Sequence, residues 1–490
     1  MPRSIFLVAA LTAFAAGAQE APATDAPVAG VSLEDRVKQL ERQLAEAKAV
    51  APAPVAPATE AKPAEAKPPE TNVFAPAVPA PFGFADFSWM PGNAGGPEHP
   101  FSFGPFTGEM RVDTVYHHSF AQPADDTISG SSEVFRSGEF QVTQLGFGGD
   151  FYYRGFQARM MTQFGMYSVT TPRNDASPGK GGWDLADAYR YISEAYGGYH
   201  IDVWSGINIQ AGIFMSYVGL WSYYNFDNWT YQPSYVSSNT PWFFDGMRIQ
   251  IFPNEHLKIE PWLVNGWQSY GRFNNAPGLG LQIAWRPTAS FAILGNQYGG
   301  TDTLGNPDRK RIHTDDSVMV KYYDNPSGVL SRAAASLTLD AGCEWGGGAD
   351  CAKNQFFLGF MAYNRLWFLQ NKIGLTVGGG AIRNPGRYLV LLPPINGATA
   401  ITGTPYFTEN PGQKYDAWDM QISADYSPIP YVTFRVEFNH RAANVPYFTG
   451  PGGVTPPGGN NGMPGMSIDG WSPDLAYTED RLTAALMVKL

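Results

Sequence analysis

The sequence predicts an all-β fold, a transmembrane antiparallel β-barrel of about 16 strands, plus or minus two. In residues 431–441, apolar side chains alternate with polar or charged ones, which gives a strand one apolar face and one charged face. Very short links alternate with long links rich in glycine and proline, as they do in bacterial barrels. An N-terminal secretory signal separates this prediction from a soluble β-sandwich with the same alternation.

Residues 1–18 are predicted to be a signal peptide. Arg3 supplies a positive charge, residues 5–16 form the apolar run, and small residues precede a cut after Ala18. A retained membrane anchor is disfavoured because about 20 apolar residues are needed to span a bilayer.

Residues 19–50 are predicted to contain a short periplasmic coiled-coil helix, followed over residues 51–82 by a Pro/Ala-rich linker with nine prolines. The heptad seam is too short to be stable alone, so the helix is either weakly formed or paired in a homotrimer that a barrel already oligomeric holds together. A solvated helix without a partner is the alternative. The apolar seam consists of Leu33, Val37, Leu40, Leu44 and Ala47.

Residues 83–490 are predicted to form the barrel. Segments 156–168 and 318–323 are among the predicted strands, whereas glycine-rich edges near Asp150 and Gly295 leave the strand count open by two. Seven short turns and eight long loops place both chain ends in the periplasm.

Two further features of the sequence concern disulfide formation and the choice of partner. Cys343 and Cys351 are predicted to form a disulfide in an extracellular loop, because an isolated close pair in an exported protein is typical of one. The net charge of −11 disfavours a nucleic-acid partner.

Ionisable residues on the strands are predicted to face the lumen, because charge in hydrocarbon is costly whereas charge in a wet channel is not. Both signs are present, so we expect a wet and modestly selective channel. The alternative is that many of them pair with each other and stiffen the wall. The pore-lining candidates are Glu109, Arg111, Asp113, Arg159, Glu194, Arg248, Lys258, Glu260, Lys321, Arg332, Arg365, Asp419, Arg435 and Glu437.

The aromatic loop, residues 216–243, has too many rings to be left in water. It is predicted to fold into the barrel and narrow it; packing at a subunit contact and a stacking surface for sugars are the alternatives. The constriction candidates are Trp221, Tyr223, Tyr224, Phe226, Trp229 and Tyr231.

No catalytic constellation is predicted, and the protein is not expected to be an enzyme or to hold a metal or other cofactor. His117, His118, His313 and His440 lie on strands or their ends without a spaced nucleophile and carboxylate.

Several runs of the chain resemble the OmpL-like β-barrel porin family. They are the run Phe-Gly-Phe-Ala-Asp-Phe-Ser-Trp-Met ending at Met90, and those over residues 137–146, 192–199, 226–235, 238–244 and 264–268. The resemblance covers about residues 82–490. The chain departs from outer-membrane barrels that finish on an aromatic residue, because it ends at Leu490.

The resemblance implies an outer-membrane porin, and the pattern of short and long links places its N-terminal arm in the periplasm. The expected function is passive diffusion of small hydrophilic solutes or ions through a water-filled barrel held in outer-membrane lipid. A substrate-specific, sugar-type channel and a non-conducting outer-membrane scaffold or adhesin are the alternatives.

Overall fold

The computed structural model describes most of the chain beyond residue 80. The described residues are 80–131, 133–386, 414–455 and 470–490, together with Lys38, Arg42, Pro76, Tyr388 and Pro457. The chain divides into two compact units, Met1–Glu70 and Thr71–Leu490. Lys38 and Arg42 of the first unit are helical and exposed. The predicted signal peptide, the rest of the coiled-coil helix and almost all of the linker lie outside the described residues.

Within the described residues, sixteen strands form one closed antiparallel barrel, which confirms the predicted fold class and strand number. Each strand pairs with its neighbours along the chain, and the last strand pairs with the first, so no strand edge is left for lipid to meet. The strands are β1 Phe106–Ser119, β2 Phe140–Tyr153, β3 Phe156–Thr162, β4 Ile192–Ile201, β5 Ile207–Met215, β6 Phe243–Asn254, β7 Leu257–Val264, β8 Gly278–Thr288, β9 Phe291–Gly300, β10 Lys310–Asp324, β11 Leu330–Trp345, β12 Phe356–Phe368, β13 Ile373–Asn384, β14 Tyr415–Ile429, β15 Val432–Ala443 and β18 Thr478–Lys489.

The loops hold short elements. Strands β16 (Phe448–Thr449) and β17 (Leu475–Ala476) pair with each other outside the barrel sheet. The helical turns are α1 Tyr167–Thr170, α2 Leu185–Tyr189 and α3 Tyr235–Ser238. Asp184 caps α2 by accepting a hydrogen bond from the backbone N–H of Asp187. The described residues contain no helix that is long and apolar enough to cross a membrane.

The two ends of the barrel differ. Tight turns join β2 to β3, β4 to β5 and so on to β14 and β15, at the end where β1 begins and β18 finishes; we call this the turn end. Long links lie at the opposite, loop end, where Cys343 and Cys351 are joined by a disulfide with their Cα atoms 5.3 Å apart. An even number of antiparallel strands brings the start of β1 and the end of β18 to the same side of the barrel.

Two predicted strand boundaries were wrong. The segment predicted over residues 156–168 ends at Thr162, because the chain leaves the wall through Gly165, whose φ of +100° interrupts extended backbone. The segment predicted over residues 318–323 is longer and begins at Lys310. Ionisable residues hide its alternation, although pairing with β9 and β11 continues through them.

The wall follows the predicted alternation of faces. On β15, Phe434 and Val436 are exposed on the outer face, whereas Thr433, Arg435 and Glu437 are buried on the inner face. Because successive side chains of a strand point to opposite faces, this parity continues from end to end.

Polar side chains interrupt the apolar outer face midway along β10. Asp316 is exposed midway along β10, where it faces Gly295 of β9 and Leu339 of β11. Thr314 Oγ1 donates a hydrogen bond of 2.7 Å to Asp316 Oδ2, and Gln297 Nε2 donates one of 2.7 Å to Thr314 Oγ1. We call Gln297, Thr314 and Asp316 the outer polar patch.

Candidate functional site

The aromatic loop joins β5 to β6 and lies inside the barrel. Tyr231 contacts Thr143 on β2, with 2.8 Å between the hydroxyl oxygens, and donates to Asp113 Oδ1 on β1 at 3.2 Å. On the far side of the lumen, Arg365 of β12 donates to the carbonyl of Trp229 at 3.1 Å. The loop therefore contacts strands on opposite sides of its own barrel, and its rings form the main apolar cluster of the molecule with side chains of the wall.

Carboxylates of the wall hold the backbone of the aromatic loop. Glu437 accepts hydrogen bonds from the backbone N–H groups of Tyr231 at 2.6 Å and Gln232 at 3.0 Å. Asp419 accepts from the Ser234 hydroxyl at 2.9 Å and from the Tyr235 N–H at 2.8 Å. These four hydrogen bonds hold the second half of the loop against the wall.

A buried ion network holds the middle of the loop. Arg435 donates to both oxygens of Asp425, at 2.6 and 2.9 Å, and Arg365 donates to Asp425 at 2.7 Å. Arg435 also donates to the carbonyls of Asn225 and Asn228. The Arg435 side chain has no exposed area, so its charge is compensated within the structure.

The residues before β1 form a second internal element that the sequence analysis did not predict. Residues 82–96, which we call the mouth segment, lie against the turn end. Phe82 N–H donates to the Glu255 carbonyl, Trp89 Nε1 donates to the Ala289 carbonyl, and Asn93 Nδ2 donates to Thr433 Oγ1 at 2.9 Å. The contacts reach the turns that join β6 to β7, β8 to β9 and the start of β15.

The mouth segment also contacts the aromatic loop and the wall. Trp229 Nε1 donates to the Met90 carbonyl at 2.9 Å, and Asp86 forms an ion pair of 2.7 Å with Arg332. Burial raises the pKa of Asp86, but the hydrogen bonds from Ser88 and the charge of Arg332 together outweigh this effect. The net shift of the pKa is therefore downward. The signal that could have revealed this element is the density of rings between the proline-rich linker and the first strand.

The two internal elements fill the lumen unevenly. Along β10–β15 and β18, inner-face side chains are buried at nearly every position. Along β3–β8, several polar inner-face side chains stay partly exposed, including Gln157, Arg159, Asn208, Arg248 and Gln250. Among the residues that the structure describes, the more accessible part of the inner wall therefore lies on the β2–β8 side.

A cavity of about 410 Å³ lies between the aromatic loop and the β2–β4 wall. Its wall side presents Arg159, which forms ion pairs with Asp150 at 2.8 Å, Glu194 at 2.9 Å and Glu109 at 3.0 Å. Its loop side includes Trp221 and Tyr224. Charges of both signs therefore face aromatic rings across this cavity.

Another ion network connects the aromatic loop to β1. Asp227 forms ion pairs with Arg111 at 2.9 Å and with Lys489 at 3.1 Å. Burial raises the pKa of Asp227, but the charges of Arg111 and Lys489 outweigh it, so the net shift is downward. Arg111 also pairs with Glu109, which joins this network to the cavity.

All fourteen pore-lining candidates lie on the inner face, but the structure places them in two settings. Against the aromatic loop or the mouth segment lie Arg111, Asp113, Arg332, Arg365, Asp419, Arg435 and Glu437. Bordering the β2–β8 side or the turn end lie Glu109, Arg159, Glu194, Arg248, Lys258, Glu260 and Lys321. Within the described residues, no three His, Cys, Asp or Glu side chains are grouped to hold a metal ion.

The chain is similar to several solved outer-membrane proteins. OmpT of Vibrio cholerae is 10% identical, with 80% of this chain and 99% of that chain covered and a TM-score of 0.42. The outer membrane channel DcaP of Acinetobacter baumannii is 12% identical, with 79% and 96% covered and a TM-score of 0.42. An anion-selective porin from Comamonas acidovorans is 8% identical, with 79% and 99% covered and a TM-score of 0.44. No curated protein sequence matches the chain.

The family model described as "Putative beta-barrel porin-2, OmpL-like" matches residues 105–463. The match extends from the start of β1 past β15 and includes the whole aromatic loop, whereas the mouth segment and β18 lie outside it. It covers well over half of the chain and confirms the resemblance found in the sequence. The chain therefore belongs to the OmpL-like family of outer-membrane β-barrel porins.

Proposed function

We propose that the protein allows passive diffusion of small hydrophilic solutes or ions across the outer membrane. Solutes pass along the β2–β8 side of the lumen, between the wall and the aromatic loop. The observation that carries this proposal is the uneven filling of the barrel, which leaves several described polar side chains on the inner face of β3–β8 partly exposed. Charges of both signs keep such a passage wet.

A sugar-type channel with a stacking surface on the aromatic loop is less well supported. Stacking requires an exposed ring face, but Trp221, Tyr224 and Trp229 have at most 8% of their surface exposed. The rings pack on each other and on the wall, with 5.3 Å between the centroids of Trp221 and Trp229. We therefore assign the loop a constricting role.

Single-channel recording of the folded protein in planar lipid bilayers tests the proposal. We expect steps of conductance that rise linearly with salt concentration and do not saturate. Block of the current by glucose or maltose at millimolar concentrations would favour the sugar-type channel instead. A folded, inserted barrel that never conducts would favour the non-conducting scaffold and overturn the diffusion channel.

We propose separate roles for the regions outside the barrel. Residues 1–18 act as a cleaved signal peptide, and the helix in residues 19–50 joins three copies in the periplasm through its heptad seam. Mass measurement of the detergent-solubilised protein, with and without residues 19–81, tests the homotrimer. If the number of copies per complex, calculated from the mass of each chain, does not change with the deletion, the homotrimer joined through this helix is contradicted.

A further inference from the structure

Three cationic side chains lie on the inner faces of adjacent strands, at Arg248 of β6, Lys258 of β7 and Arg286 of β8. We call them the basic row. Each is partly exposed, and the strands that hold them border the accessible side of the lumen. Glu260 is the one carboxylate in ion-pair contact with the row among the described residues.

Arg248 is held by rings instead of a carboxylate. Its guanidinium carbon lies 4.5 Å from the ring centroid of Phe214, 5.0 Å from that of Tyr196 and 5.3 Å from that of Trp262. Its Nε donates to Gln210 Oε1 at 2.8 Å. Cation–π contacts fix the side chain without neutralising its charge. The guanidinium is thus oriented and still able to attract an anion.

Glu260 neutralises only part of the basic row. Its carboxylate accepts from Lys258 Nζ at 3.1 Å and from Trp262 Nε1 at 3.0 Å, and only 1% of the residue is exposed. Both oxygens are therefore in use within the wall. Three cations and one carboxylate leave the row with excess positive charge.

Arg286 places the end of the basic row beneath the mouth segment. Its guanidinium carbon lies 4.2 Å from the ring centroid of Phe82 and 4.7 Å from that of Phe87. No carboxylate of the described residues forms an ion pair with it. The row therefore extends from the accessible lumen towards the turn end, where the rings of the mouth segment cover it.

We propose that the basic row is a binding station for small oxyanions, carboxylates or phosphates, on the path through the barrel; this rests on the proposed diffusion function. A guanidinium matches the two oxygens of a carboxylate or phosphate with parallel hydrogen bonds. The attraction is stronger beside a protein wall than in bulk water, because the effective dielectric constant is lower there. Passing anions are held briefly at Arg248 and transferred along the row.

Binding is tested by calorimetric titration of the full-length, detergent-solubilised protein with succinate and, separately, with inorganic phosphate. We expect binding that weakens at least tenfold in Arg248→Gln and is partly kept in Arg248→Lys. Arg383→Gln is the matched control, because Arg383 is exposed at the outer loop end of β13. The tighter ligand of the two identifies carboxylate or phosphate as the preferred chemistry. Absence of binding to either anion by a folded wild-type barrel would overturn the proposal.

Reversal potentials in a potassium chloride gradient provide the second readout. The ratio of anion to cation permeability should fall severalfold in Arg248→Gln and stay unchanged in Arg383→Gln. A wild-type channel that conducts but shows equal ratios in both variants would overturn the basic row and leave the diffusion function standing. A wild-type barrel that binds oxyanions but does not conduct would leave the basic row standing and overturn the diffusion function. Heat-modifiable migration on gels confirms that each variant is folded.

Discussion

At the scale of single residues, side chains that share the inner face of the wall have different roles. Arg435 and Arg248 both point inward. Arg435 is buried in an ion pair with Asp425, whereas Arg248 packs on aromatic rings and faces the accessible lumen. Alternation along a strand predicts the face of each residue. It does not predict which inward residues the aromatic loop covers, because that depends on the path of a segment with no period of its own.

Replacing Arg435 with Glu should therefore destabilise the barrel instead of changing its ion preference. The change places a carboxylate beside Asp425 and removes a buried partner, which costs about 3–5 kcal/mol. The free energy of unfolding in urea, measured for the protein in lipid vesicles, should fall by that order. A variant that folds like wild type and is merely more cation-selective would show that Arg435 lines an open passage.

On the opposite face of the same strand, Val436→Arg tests the lipid assignment. Val436 is 51% exposed on the outer face, and arginine at the bilayer midplane costs about 2–4 kcal/mol. Insertion into vesicles should be slower and less complete than for Val436→Leu, the matched apolar change. Equal insertion of the two variants would contradict the lipid-facing position.

At the scale of elements, the aromatic loop and the mouth segment are two internal elements that pack against the same barrel wall. The density of rings in the loop predicts its burial, since so much apolar area is not left in water. The mouth segment could not be placed from sequence, because its partners are turn carbonyls, such as those of Glu255 and Ala289, that have no sequence signature.

Removing residues 221–231 should raise the single-channel conductance and admit larger solutes. The strands stay paired without the loop, and water can enter to hydrate the charges that it covered. Conductance and solute exclusion in planar bilayers measure the effect. A well-folded deletion variant with unchanged or lower conductance would contradict a constricting role, and a loss of oligomeric mass with unchanged conductance would favour a subunit contact.

A pair of N-terminal deletions separates the linker from the mouth segment. Removing residues 19–81 should leave insertion and conductance unchanged, because the barrel closes its hydrogen bonds on itself. Removing residues 19–97 should raise conductance, because the contacts of Trp89 and Asn93 at the turn end are lost. Equal conductance of the two variants would show that the mouth segment does not limit flow.

At the scale of the whole molecule, the general architecture of the barrel could be predicted from the sequence. The strand number and the alternation of short and long links were predicted correctly, because each depends on local period and on turn chemistry. Asp316 departs from the apolar outer face with a carboxyl group halfway between the ends of β10. Charge at this depth in lipid is costly.

Asp316→Leu should therefore stabilise the barrel in lipid vesicles, by up to about 2 kcal/mol. Asp316→Asn keeps the shape of the side chain and its place in the outer polar patch, so it isolates the contribution of charge. Unfolding in urea, followed by tryptophan fluorescence, gives both free energies. Loss of stability in the leucine variant would mean that the patch is buried against another protein instead of facing lipid.

The uneven filling of the lumen separates the diameter of the barrel from the size of the largest solute that fits through it. In an open barrel, the number of strands fixes the diameter and hence the largest solute that fits. In the proposed passage, the space between the aromatic loop and the β2–β4 wall, where the cavity of about 410 Å³ lies, would set this limit instead. Substitutions at the surface of this gap can retune the size limit of the sieve while the sixteen-stranded frame and its insertion stay as they are.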